Sequence, residues 1–170
     1  HPLQDWLTDN TTASSLGSVC SMASYGGRLY AGVASHIAGT AAIVKQRTEE
    51  GVWSTSRTGP ATTLSNAYTS LFTFNGNLYA GWTDGGTTAA RLETYDGTTW
   101  SNDQSFATTD VVCQGVTFLP STGSLYLVLG QTSAAGNTTS SIRKRTTGGV
   151  WSTPDDPADA LRGAIGILRA

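Results

Sequence analysis

Gly26-Gly27-Arg28-Leu29-Tyr30-Ala31-Gly32 returns as Asn75-Gly76-Asn77-Leu78-Tyr79-Ala80-Gly81, and more loosely as Gly123-Ser124-Leu125-Tyr126-Leu127-Val128. Each copy reads as a tight turn followed by an apolar strand, and Asn75-Gly76 is a strong hairpin signal because both residues tolerate positive φ. A polar stretch and a Trp-Ser pair then follow: Val52-Trp53-Ser54-Thr55, Thr99-Trp100-Ser101 and Val150-Trp151-Ser152-Thr153. Trp6, Trp53 and Trp100 stand 47 residues apart, and Trp151 comes 51 later. A period in the forties made of short β-type runs is the pattern of propeller blades. The expected fold is therefore an all-β propeller of four-stranded antiparallel blades, with three full repeats and split terminal strands.

Working outward from these repeats divides a single domain of residues 1–170. A closing strand occupies 1–15, the repeats cover 16–63, 64–110 and 111–160, and a lone first strand follows at 161–170. In repeat two the strands are expected at Tyr68–Phe74, Leu78–Trp82, Arg91–Tyr95 and from Trp100 onward. Repeat one places them near Val19–Tyr25, Leu29–Val33, Ala42–Arg47 and Val52–Thr55. Repeat three begins with Val112–Leu119, has a longer first turn at Pro120–Gly123, and has a long loop from Gln131 to Thr139. The two terminal segments match only the last and the first strand of a blade. Exposed sheet edges invite pairing with another chain, so a homo-oligomer is expected, a dimer with residues 1–10 and 161–170 at its junction.

Composition narrows the classes of function. Apolar residues make up 38% of the 170, and Thr, Ser and Gly fill the deficit, as in a turn-rich β protein. A formal charge of −2, with 13% charged residues and two Lys, argues against nucleic acid as a partner. No run approaches the roughly 18 apolar residues of a membrane span. The chain starts at His1, which reads as a processed mature protein or an excised fragment. Scarce Lys and the sequons at Asn10 and Asn137 point to a secreted glycoprotein. Cys20 and Cys113 are too few for a zinc site and are expected as free thiols acting as small apolar residues.

The small pair closing the second strand (Ala31-Gly32, Ala80-Gly81), the Tyr95-Asp96-Gly97 turn and the Trp opening the fourth strand resemble the kelch-like propeller family. The period of 47 also resembles the tachylectin-type lectin propellers. This fold-level resemblance spans nearly the whole chain. It implies that the phased Trp residues are wedged between neighbouring sheets rather than offered to a ligand.

Candidate ligand residues lie off that phase. Trp82 ends a strand where the other repeats have Val33 and Leu129, and it precedes Thr83-Asp84-Gly85-Gly86. An aromatic face beside a carboxylate and flexible Gly suits a neutral sugar, although a Trp filling a gap between blades has the same signature. His36 and Gln131 are the corresponding positions in repeats one and three. Arg47 and Arg145 share one offset from their Trp and are candidates for sulfated or carboxylated ligands, although such cations also simply solvate an outward face. No nucleophile elbow, phosphate loop or metal-binding His pair is present, and Asp155-Asp156 has no partner acid in phase. The sequence alone thus reads as a secreted carbohydrate-binding lectin with no catalytic activity, cofactor or metal, whose partners are glycans or glycoproteins. The alternatives are a protein-binding or inhibitory propeller and, third, a hydrolytic or copper-dependent enzyme, the latter using His1 and His36.

Overall fold

The computed structural model describes residues 18–35, 37, 39–60, 69–82, 91–106, 110–119, 124–132, 138–145 and 148–151. In chain order the strands are β1 (Val19–Tyr25), β2 (Arg28–Val33), β3 (Ile43–Arg47), β4 (Trp53–Thr58), β5 (Thr69–Phe74) and β6 (Asn77–Trp82). They continue with β7 (Arg91–Tyr95), β8 (Trp100–Ser105), β9 (Asp110–Leu119), β10 (Ser124–Thr132) and β11 (Thr138–Arg145). Consecutive strands pair antiparallel into a first sheet β1–β4, a second sheet β5–β8 and a three-stranded sheet β9–β11. Trp151 adds to the third sheet by a single bridge to Arg145.

Local chemistry explains the hairpins. Gly26 and Gly27 take φ of 55° and 75°, and Asn75 and Gly76 take 46° and 78°. Two successive positive φ values define the turn whose twist matches that of antiparallel strands. They fix the registers Tyr25↔Arg28 and Phe74↔Asn77, and with them which side chains share a face.

The sheets follow one another by packing first strand on first strand, β1 against β5 and β5 against β9. This is the arrangement of successive propeller blades. Among the described residues the sheets do not close into a ring. Alternation along β5 and β6 divides their side chains between two interfaces. Leu71, Leu78, Ala80 and Trp82 pack with Tyr30, Ala42 and Val44 of the first sheet. Phe74, Tyr79, Leu92 and Phe106 pack with Leu127 of the third, backed by Phe72 and Trp151.

Two glycines permit the close approach of the first and second sheets. A Cβ on Gly32 would collide with Ser21 and Thr69, and one on Gly59 would collide with the Trp82 ring. Ser21 Oγ occupies the space over Gly32, donating to Thr69 O at 2.8 Å and accepting from Leu71 N at 3.1 Å. Cys20 is a free thiol whose Sγ donates to Gly32 O and Thr69 O.

The strand expectations for the first two repeats agree with the structure to within a few residues. The third departs: the loop expected from Gln131 to Thr139 is shorter, because β10 runs to Thr132 and β11 starts at Thr138. Pairing from Leu125↔Arg145 to Thr132↔Thr138 carries these polar residues into the ladder. The expected terminal strands at 1–15 and 161–170 lie outside the described residues, as does the Pro120–Gly123 turn.

Candidate functional site

The polar chemistry of the described residues gathers at the sheet-to-sheet interfaces. Between the first and second sheets, Glu93 on β7 is 3% exposed and accepts three hydrogen bonds. Arg57 on β4 donates to it from Nε at 2.8 Å and from Nη2 at 2.7 Å. The Trp82 indole N–H donates to the same carboxylate at 3.0 Å. A buried carboxylate is tolerated only when paired and hydrogen-bonded, and this one has all its good acceptor directions used. The hydrogen bond to Glu93 raises the Arg57 guanidinium above its ordinary pKa.

An analogous cluster joins the second sheet to the third. Arg145 on β11 donates to Asp103 on β8 through Nε and Nη2, and the Trp151 indole adds a third donor at 3.3 Å. Both ionic side chains are largely buried, at 14% and 8% exposure. At the equivalent place between the first and second sheets, the Trp100 indole donates to Ser56 Oγ at 3.2 Å. Trp53, Trp100 and Trp151 are all half-buried. Trp100 and Trp151 are rim fasteners between consecutive sheets, as the phased Trp residues were expected to be.

The turn end of the first interface carries an aromatic cluster. Tyr95 stacks on Trp100 with centroids 4.9 Å apart, and Tyr25 and Tyr30 meet Tyr95 at 6.0 and 6.1 Å. Burial, reinforced by the Tyr95 phenol, pushes the Tyr30 hydroxyl up to about 12. The Tyr95-Asp96-Gly97 turn is held by Asp96 Oδ1, which accepts from Thr98 N and Thr99 N at 2.8 Å each. Those backbone donors, Thr99 first, lower the Asp96 pKa.

Against this geometry the sequence candidates fall apart as a site. Trp82 is 1% exposed, so it presents no face for a sugar, and its polar edge is taken by Glu93. Arg145 is engaged with Asp103, and the Arg47 guanidinium lies against the Gly51 turn. Gln131 is a strand residue directly opposite Asp110 in the β9–β10 pair, not a loop residue. His36 and Asp84, and the sequon residues Asn10 and Asn137, lie outside the described residues. Sequence reasoning missed Glu93, Arg57 and Asp103. The signal for Glu93 was an acid inside the apolar strand Leu92-Glu93-Thr94, and for Asp103 its place three residues after a phased Trp. Among the described residues no three His, Cys, Asp or Glu side chains converge on a possible metal position, and no helix is long and apolar enough to cross a membrane.

No family model and no curated protein matches the chain. Among solved structures it is similar to a native Bacillus subtilis arabinanase, at 11% identity and a TM-score of 0.49, over 85% of this chain and 58% of that one. It is also similar to a GH43 endo-arabinanase from Bacillus licheniformis, at 12% identity and a TM-score of 0.40, over 84% and 79%. The chain thus spans somewhat over half the length of the first. Both of these proteins are titled as enzymes acting on arabinan. On that finding the expectation of a lectin without catalytic activity is corrected, and with it the expectation that the chain is no enzyme. The finer resemblance to kelch-like and tachylectin-type propellers finds no counterpart among these structures.

Proposed function

We propose that the chain is part of a hydrolytic β-propeller acting on a neutral polysaccharide, with its chemistry where the first strands of the sheets converge. The observation that carries this reading is the position of Asp110, which heads β9. It is the one carboxylate in the three first strands, since β1 and β5 contain none. Glycoside hydrolysis needs a pair of carboxylates facing each other across the scissile bond. The two buried acids of the rim are unsuited to that work, because Glu93 and Asp103 are each saturated by an Arg and a Trp. The reading therefore places one acid at Asp110 and takes its partner from outside the three described first strands. The near-neutral charge of the chain suits an uncharged substrate. An extracellular location belongs to the same proposal and is supported by the sequons at Asn10 and Asn137.

The test is release of reducing ends by the full chain from a panel of neutral polysaccharides, with linear arabinan assayed first. Activity that falls by two or more orders of magnitude in Asp110→Asn, with the melting temperature unchanged, is the expected outcome. A wild-type chain that hydrolyses nothing in the panel, or an Asp110→Asn variant as active as wild type, overturns it.

A further inference from the structure

The rim fasteners follow a rule that the described residues obey twice. The acceptor is the fourth residue of one sheet's outer strand (Trp53-Ser54-Thr55-Ser56, Trp100-Ser101-Asn102-Asp103), and the donor is the Trp that opens the outer strand of the following sheet, or stands at its place. A second residue varies together with the acceptor. Across the strand pair from Trp100 stands Tyr95, and the acceptor is Ser56. Across from Trp151 stands Arg145, and the acceptor is Asp103, which Arg145 also holds. An uncharged partner thus goes with a hydroxyl, and a guanidinium with a carboxylate.

The first sheet repeats the second pattern on its free side. Trp53 stands across from Arg47, and both the Arg47 and Arg145 guanidinium groups lie over the glycine of the turn that follows, Gly51 and Gly149. The rule then calls for a carboxylate three residues after a Trp in a preceding outer strand. The chain contains Trp6-Leu7-Thr8-Asp9, in which Asp9 stands 47 residues before Ser56 as Ser56 stands 47 before Asp103. The face concerned is also incompletely covered. Met22 and Leu71 each stand three residues before a hairpin-closing residue, yet Met22 is 46% exposed and Leu71 is 8%. Leu29 is half-buried where its counterpart Leu78 is fully buried.

We propose that Trp6–Asp9 of the same chain docks on the rim of the first sheet as the outer strand of a preceding sheet, with Asp9 accepting from the Arg47 guanidinium and the Trp53 indole. Interfacial bidentate Arg–carboxylate pairs fix geometry as well as adding attraction. The contact thereby sets the register in which that segment meets the first sheet. The inference is independent of any hydrolytic activity.

The test uses the full chain with 15N-labelled Trp, each indole N–H signal assigned by single Trp→Phe variants. Asp9→Ala is expected to shift the Trp53 indole signal and speed its hydrogen exchange about fivefold, the loss of one ordinary hydrogen bond. Trp100 and Trp151 should be unmoved, which also shows that the variant is folded. Ser56→Ala is expected to do the same to Trp100 alone. Exchanging the charges, Asp9→Arg with Arg47→Asp, should restore the melting temperature lost in either single variant. A Trp53 signal indifferent to Asp9→Ala, or a charge exchange whose effects merely add, overturns the contact. A Trp53 signal that depends on protein concentration assigns the strand to a second copy and overturns the same-chain placement.

Discussion

Replacing Glu93 by Gln tests whether the buried carboxylate fastens the first sheet to the second. The substitution keeps the shape but offers one acceptor oxygen where three donors converge, Arg57 Nε and Nη2 and the Trp82 indole. The new amide N–H group must face one of those donors, in a pocket where Glu93 is 3% exposed and Trp82 1%. A lost hydrogen bond to a charged group is worth about 1.5–3 kcal/mol, and an orphaned buried donor costs a similar amount. Arg57 is 39% exposed, so water recovers part of the loss at that end. The net destabilisation is therefore about 2–3 kcal/mol, below the roughly 3–5 kcal/mol of a fully buried broken pair. For a chain of this size that lowers Tm by about 4–12 °C, readable by calorimetry or by the near-ultraviolet dichroism of Trp82. The double variant Arg57→Met, Glu93→Leu replaces both charges by apolar groups and should regain about 1 kcal/mol or more relative to the sum of the single changes. A Glu93→Gln protein melting within about 1 °C of wild type would show that the carboxylate does not hold the sheets together.

Gly59→Ala places a methyl group into the Trp82 ring, and it should cost about 1–3 kcal/mol as an overpacked contact. Denaturant titration checks this through a lowered midpoint at unchanged slope, and a midpoint equal to wild type would refute the close-packing argument. For Tyr30 the folded-state pKa of about 12 stands above the ordinary value of 10.0. Between those values the folded chain keeps a proton that the unfolded chain releases, so this contribution to stability is complete below pH 10 and is lost as the pH rises through 12. Tyrosinate absorbance should show one residue titrating late, and Tyr30→Phe should remove that late step; its persistence in the variant would assign the step elsewhere.

The hairpins were legible in the sequence because they are local. Gly26-Gly27 and Asn75-Gly76 set a turn that needs only its own backbone freedom, and the strands beside it inherit their register. The phased Trp residues were legible for a related reason, since a repeated unit buries its apolar edge only against the next copy. Trp82 was misread because its surroundings are assembled from afar. Gly59 leaves room for the ring and Glu93 takes its N–H, and neither stands beside it in the sequence. An aromatic next to Asp84 and two glycines has the same local signature whether it faces a ligand or a neighbouring sheet, and only the sheet-to-sheet packing decides between them. The two arginines teach the same lesson from the other side. Arg47 and Arg145 share an offset from Trp and a seat over a turn glycine, which suggested a repeated anion-binding set. What Arg145 meets instead is Asp103 from the preceding sheet. The repeat thus encodes contacts between copies before it encodes contacts with any ligand, and a residue recurring in phase is read first as part of a joint. Chemistry is to be sought among residues that break the phase, and Asp110 is such a residue, an acid at the head of a first strand whose counterparts β1 and β5 carry none.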